Sequence, residues 1–456
     1  MIESRGDTTT LIQRARELES KGTDADALAA WVDVLKADPT HLDALNALGN
    51  LAFATGRRAA ARTTYEQAVR CHPDDATARV NLGNLLYYEE DLPSASAHYE
   101  AALALDPQLP EAHQGMARVL DAQGDTAAAE PHWRQGFAGR AFMPQRYRGT
   151  VPPVRVLLLV SVKLGNVGTR QFLDDRTFEV TAAHAEFIEP DTPLPPHDLV
   201  FNAIGDADLC ALALAQATAV IARTAVPVLN RPEQVRLTGR TGTTKLFADL
   251  PGVVLPRVRQ LPRAVVPAEI RDFPMLLRAV GFHTGRYFVR VERSQDLAPA
   301  LAALPGEDIL VIEPLDARGA DGMHRKYRVM IIDGELYPLH LAISHDWKVH
   351  YFTGAMQENP AYREEELRFL QDMPGVLGAR AMSALTAIAQ RMGLDYGGVD
   401  FALAPDGSLL LFEANATMAI LMPGRDPLWD YRRPAIQRAL DEARKLVLRR
   451  AESKAR

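Results

Sequence analysis

A chain of 456 residues is too long for one hydrophobic core and implies two or three domains. Its 47% apolar and 24% charged content is that of a globular protein. A formal charge of −7, without a basic stripe apart from the solvated C-terminal run RKLVLRRAESKAR, argues against a nucleic-acid or anionic-membrane surface.

The N-terminal stretch MIESRGDTTTLIQRARELES lacks the apolar core of a signal peptide, and no segment has the roughly 18 apolar residues of a spanning helix. A cytoplasmic protein is therefore expected, with no membrane or nucleic-acid partner. Cys71 and Cys210 are the only cysteines, too few for a disulfide framework or a zinc site, and both read as core residues.

The first third repeats itself every 34 residues. Leu48-Gly49 recurs as Leu82-Gly83. Ala27, Ala61, Ala95 and Ala129 keep the spacing, as do Trp31, Tyr65, Tyr99 and Trp133, and Pro39, Pro73 and Pro107. Small residues that let helices approach, aromatics between units and helix-ending prolines resemble tetratricopeptide repeats, in four units of about 8–41, 42–75, 76–109 and 110–143. Asn50 and Asn84 occupy equivalent positions, as do Phe53 and Tyr87. A concave peptide-binding groove and a scaffolding or dimerising role are both open.

Residues 138–153, AGRAFMPQRYRGTVPP, read as a linker. VRVLLLVSV then reads as a buried strand, and KLGNVGTRQFLDD as a turn or a phosphate-cradling loop without the full dinucleotide spacing. FEVTAAHAEF, HDLVFNAIGDAD, the helical ALALAQATAVIART and VPVLNRPEQV alternate strand and helix, which predicts a small α/β domain over 154–235. From 236 to 456 the chain is richer in strands, with amphipathic helices at MSALTAIAQRMG and RRPAIQRALDEARKLVLRRA, and reads as α+β.

The densest chemical signal is GGVDFALAPDGSLLLFEANATM, residues 397–418. A two-residue Asp406-Gly407 turn would pair Pro405 with Ser408 and set Asp400 opposite Glu413, with Asn415 on the same face. Opposed carboxylates repel, by about 4 kcal/mol at 4 Å near a surface. Three oxygen ligands, two of them anionic, suit magnesium shared with phosphates. Cations elsewhere complement them: Lys326 and Arg328 on one strand face, Arg278 before a loop bounded by Gly281 and Gly285, and Arg240 or Lys245 in LTGRTGTTK.

The order of these parts over about 154–425 resembles the ATP-grasp superfamily, in its D-alanine–D-alanine ligase, glutathione synthetase and RimK-like branch. The resemblance implies a multidomain chain. An all-α tetratricopeptide-repeat solenoid over 1–145 would be followed by an α/β pre-ATP-grasp domain over 154–235. An α+β ATP-grasp domain over 236–456 would carry a nucleotide lid near 262–317 and a C-terminal helix. It implies ATP and Mg²⁺, with Asp400, Glu413 and Asn415 as metal ligands. Arg278, Arg240 (or Lys245), Lys326 and Arg328 would lie at the phosphates. Glu313 and Leu315 of VIEPL would meet adenine, and Lys348 or His350 the γ-phosphate. His340 and His350 are candidate substrate contacts or structural histidines.

The chain departs from the family at YGGVD, where Gly398 and Val399 stand in place of an arginine before the metal aspartate, and at ANATM. The implied activity is ADP-forming carboxylate–amine ligation through an acyl phosphate, catalysed with Arg328, Lys348 and His350. The repeats would present a peptide or protein substrate, dock a partner or form a homodimer. An ATP-binding scaffold without turnover and an ATP-grasp phosphotransferase are the alternatives.

Overall fold

The structure, a computed structural model, describes residues 2–21, 24–282, 285–349, 355–424 and 426–453. Two compact units divide the chain, Met1–Ala141 and Phe142–Arg456.

The first unit is all-α among its described residues. Helices α1 (Ile2–Lys21), α2 (Asp24–Ala37), α3 (Leu42–Ala54), α4 (Arg58–Cys71), α5 (Ala76–Tyr88), α6 (Leu92–Leu105), α7 (Pro110–Gln123) and α8 (Thr126–Phe137) pair in sequence. The repeated residues explain the pairing. A Cβ on Gly83 would stand 2.8 Å from the Tyr99 ring, and one on Gly49 or Gly115 would overlap Tyr65 or Tyr99. Glycine therefore admits the aromatics that fill the α3–α4 and α5–α6 pairs and lets Tyr99 reach α7. The ends are capped in the usual chemistry: the carboxylates of Asp75, Asp91 and Asp125 accept backbone N–H bonds at the starts of α5, α6 and α8.

The second unit opens earlier than the sequence indicates. Strand β1 (Phe142–Pro144), inside the expected linker, pairs antiparallel with β3 (Phe178–His184). With β2 (Val154–Val160), β4 (Leu199–Asn202) and β5 (Val228–Leu229) it forms a sheet in the order β1-β3-β2-β4-β5, parallel apart from β1. Three residues, the last of them a proline, carry no alternation that a reading of the sequence can detect. Helices α9 (Ala211–Ile221), α10 (Pro232–Val235) and α11 (Arg240–Leu246) follow.

Next comes the short strand β6 (Val253–Val254). An antiparallel sheet in the order β7-β10-β8-β9 is then built from β7 (Val258–Pro262), β8 (Met275–Ala279), β9 (Phe288–Val291) and β10 (Asp308–Ile312), with helices α12 (Val266–Glu269) and α13 (Leu297–Ala302). The final sheet runs β12-β11-β13-β14-β6, from β11 (His324–Ile332), β12 (Glu335–Ser344), β13 (Tyr396–Leu403) and β14 (Leu409–Asn415). Against it pack α14 (Pro360–Gln371), α15 (Met373–Met392, broken at Gly378) and α16 (Arg433–Glu452).

One apolar core joins the first and last sheets: Val156, Leu158 and Phe201 meet Met330, Tyr396 and Ile436. Buried Asn230 fixes the start of β13, because its amide group donates to Tyr396 O at 2.7 Å and accepts from Tyr396 N at 2.8 Å. Buried Arg432 donates to Glu366, whose other oxygen accepts the Leu341 amide, so the approach to α16 is tied to α14 and β12. Among the described residues no helix is long and apolar enough to cross a membrane.

Candidate functional site

The β13–β14 hairpin reaches its register by a different route from the two-residue turn. Gly407 N donates to Ala404 O and Ala404 N to Ser408 O, so the loop has three residues, closed by Gly407 at φ 77. From that turn Leu403 pairs with Leu409 and Phe401 with Leu411, a register that would leave Asp400 opposite Phe412. A β-bulge then inserts Phe412, after which Asp400 pairs with Glu413 and Gly398 with Asn415. Turn and bulge each add one residue, and the second cancels the first. The bulge also brings adjacent Phe412 and Glu413 to the same cleft, which a regular strand would not do.

The opposed acids are not left to repel. Asp400, 2% exposed, sits beside Arg328 in the β11–β13 ladder and receives its guanidinium fork at 2.6 and 2.7 Å. Lys326, two residues away on the same face, stands 3.3 Å from Asp400. Glu413 Oε1 accepts from Arg240 Nη2 at 3.1 Å and from Asn415 Nδ2 at 2.8 Å. Burial would raise the Asp400 carboxyl, but Arg328 and Lys326 outweigh it and hold the group well below the usual range. Glu413 is likewise lowered, burial being overcome chiefly by Arg240. The charge argument for a divalent cation is thus corrected: protein cations already neutralise this pair.

Arg278 on β8 is different. It is 7% exposed and lies over the Phe288 ring at 5.3 Å; it donates to Phe282 O, while its Nε has no partner. Among the described residues no acid lies within ion-pair distance of it, and burial, with Arg240 nearby, lowers its pKa to about 10.

These groups line a cleft of about 440 Å³ within the second unit. Its described walls carry the cations Arg240, Arg278, Arg290, Lys326, Arg328 and Lys348 against the carboxylates Glu313, Asp400 and Glu413. At one end lie Leu315, Ala317 and Phe412, which belong to a small apolar cluster with Ala402. The Glu313 amide is taken by Arg257 O, whereas among the described residues nothing accepts the Leu315 amide. Lys348 is exposed on a loop and donates to Phe288 O at 3.3 Å, and Trp347 meets the Phe288 ring edge-on at 5.1 Å, so this loop reaches the β7–β10 sheet. His340 is buried opposite Arg328, and burial, followed by Arg328, keeps its imidazole neutral.

Of the sequence candidates, Lys245 is exposed on α11 and is not on the cleft wall, whereas Arg240 is. His350 lies outside the described residues. Arg290, Phe288 and Met418 also line the cleft and carry no signal that sequence reasoning used. An arginine in FVRVE belongs to no motif, although its alternation with apolar neighbours is a usable sign.

The oxygens of Asp400, Glu413 and Asn415 are the donor type magnesium takes. Both Asp400 oxygens are already bonded to Arg328, and Asn415 Oδ1 accepts from Thr417 N and Oγ1 at 3.0 and 2.9 Å. Among the described residues no group of three His, Cys, Asp or Glu side chains forms a metal cluster. The set therefore fits a metal that arrives with anionic ligands, not a bare ion.

In the first unit, Asn50 and Asn84 serve the helix packing, since their Oδ1 atoms accept the Tyr65 and Tyr99 hydroxyls at 2.7 and 2.9 Å. They line a hollow of about 230 Å³ with Phe53, Tyr88 and Arg118, and Arg118 also donates to Asn84 Oδ1 at 2.6 Å.

Residues 42–85 match the tetratricopeptide repeat model and residues 83–124 the TPR repeat model. No curated protein matches the chain. Solved structures include MamA from Desulfovibrio magneticus RS-1, at 24% identity over 29% of this chain and 74% of that one, with a TM-score of 0.27. A Thermobaculum terrenum O-GlcNAc transferase mutant shares 20% identity over 44% of this chain and 38% of its own, with a TM-score of 0.31. The first TPR of Spaghetti bound to an HSP90 peptide shares 20% over 26% and 93%, with a TM-score of 0.25. The N-terminal region of this chain carries tetratricopeptide repeats, and a region of mixed helix and strand follows it.

Proposed function

We propose that the second unit is an ATP-dependent carboxylate–amine ligase of the ATP-grasp type. The observation that carries this reading is Arg278, a buried guanidinium without an acid partner among the described residues, in a cleft whose cations outnumber its carboxylates. A buried, uncompensated cation is costly, and a polyphosphate is the ligand that relieves it. The apolar end beside Leu315 suits a base, with the free Leu315 amide as its hydrogen-bond donor.

Arg240, Arg278 and Arg328 would grip the phosphates, and Lys348 would approach from its exposed loop. Asp400, Glu413 and Asn415 would hold magnesium, which supplies charge neutralisation at the phosphates. Once phosphates draw Arg328 and Lys326 away, Asp400 regains free oxygens. In the reaction a carboxylate oxygen bonds to the terminal phosphorus as the bond to the bridging oxygen breaks, releasing ADP. The amine nitrogen then bonds to the acyl carbon, phosphate leaves, and the nitrogen's proton passes to solvent. Positioning and electrostatics carry this chemistry, with little for a general base to do.

The repeats suit protein interaction, and in this reading they present a peptide or protein substrate or a partner. A scaffold without turnover is the second reading. It is favoured at Gly398, where Met418 and Met330 sulfurs stand 2.7 and 3.0 Å from any added Cβ and fill the place of a side chain. Hydroxylamine added with ATP, magnesium and a carboxylate panel separates the readings. A hydroxamate with matching ADP supports the ligase. ATP binding without ADP release supports the scaffold, and a stable phosphorylated product supports a phosphotransferase.

A further inference from the structure

The cleft has a second apolar lobe that ATP chemistry does not use. Along β13 and β14 the order is Ala402 and Phe412, then the charged pair Asp400–Glu413, then Gly398 and Asn415, and Met418, three residues past β14, packs on Gly398. Beyond the charges the wall is formed by Leu339, Met418, Ala419, Leu421 and Ile436, with His340 as its polar member. Leu339, Met418 and Ile436 belong to the large core, a different cluster from the Leu315–Phe412 end, so the two apolar ends are separate.

The lobe is built by backbone devices. In the β11–β12 ladder Arg328 pairs with His340 and Val329 with Pro338, which leaves Leu339 as the bulged residue. Adjacent Leu339 and His340 consequently both line the cleft, where a regular strand would turn one away. The bare backbone of Gly398 lets the Met418 thioether lie against β13. At the mouth Leu421 is 53% exposed, an apolar side chain left in solvent beside the cavity. The lobe's inner edge is bounded by Lys326 and Arg328, so positive charge stands where a carboxylate would meet the phosphates.

We infer that this lobe seats the tail of an aliphatic carboxylate, a tail that carries no charge beyond the carbon bearing the reacting carboxyl group. The tail lies against Leu339, Met418, Leu421 and Ile436, and the carboxyl faces Lys326 and Arg328. A dicarboxylate would have to bury its second charge in a wall that offers it no cation. The inference rests on the ligase reading for the carboxyl's role, not for the lobe's preference.

Calorimetric titration of the full chain with hexanoate, leucine, glutarate and glutamate, without nucleotide, tests it. Hexanoate or leucine should bind on the order of tenfold or more tightly than the dicarboxylate of similar length. L421E, at an exposed position, should keep its melting temperature and lose hexanoate affinity by a similar factor. Preference for hexanoate marks a simple acyl chain, and preference for leucine an amino acid. Equal or tighter glutarate and glutamate binding, no binding by either aliphatic carboxylate, or an unaffected L421E would overturn the lobe assignment. If AMP-PNP fails to bind while hexanoate keeps its preference, the ligase reading falls and the lobe stands.

Discussion

Asp400 and Arg328 illustrate how a buried charge can be tolerated before any ligand is present. Both carboxylate oxygens are bonded, and Lys326 adds a second positive charge. Removing one partner of such a pair strands the other in a low-dielectric site. Arg328→Ala should therefore lower unfolding free energy by about 3–5 kcal/mol in urea denaturation. A loss below about 1 kcal/mol would mean that Asp400 is solvated or protonated in the folded chain. The types of these residues could be read from the sequence, but their pairing could not. Strand-borne Lys326 and Arg328 signal an anion, and only the β11–β13 register identifies Asp400 as the one they already hold.

The β13–β14 hairpin depends on compensating irregularities. The three-residue loop alone would shift Glu413 and Asn415 off the Asp400 face, and Phe412 restores them. Inserting one alanine after Phe412 should move Glu413 off the Asp400 face and reduce AMP-PNP affinity at least tenfold while the hairpin persists. Unchanged affinity in that variant would show that the register is irrelevant to the site. The sequence made the opposition of Asp400 and Glu413 legible, but by a turn of the wrong length, because bulges leave no periodic trace.

The repeat helices hold a separate histidine pair. His113 Nε2 contacts Pro107 O at 3.0 Å, so its Nδ1 accepts from His132 Nδ1 at 2.9 Å. Burial and then His113 lower the His132 pKa. A folded-state pKa below the unfolded value of about 6.5 means that the unfolded chain binds more protons, so stability falls as pH drops through that value. The melting temperature of the helical signal should be lower at about pH 5.5 than at about pH 7.5. His132→Gln should narrow the gap, and a gap of the same size in that variant would contradict the assignment.

Across the whole chain, legibility followed periodicity. The 34-residue spacing reveals eight helices because each glycine and aromatic sits at a fixed place in a helix pair, as Gly83 and Tyr99 do. Strand β1 is too short to show a period, and the position of Lys245 away from the cleft depends on the orientation of α11. Opposed acids, strand cations and the VIEPL linker do converge on one cleft; its two apolar ends emerge only from packing. The proposed function stands or falls on whether this cleft is a magnesium–ATP site centred on Arg278. Isothermal titration of AMP-PNP with magnesium, on the full chain and on Arg278→Met, decides that question. Saturable binding, weakened at least tenfold in the variant, is expected; no binding, or equal affinity in the two proteins, would refute the site.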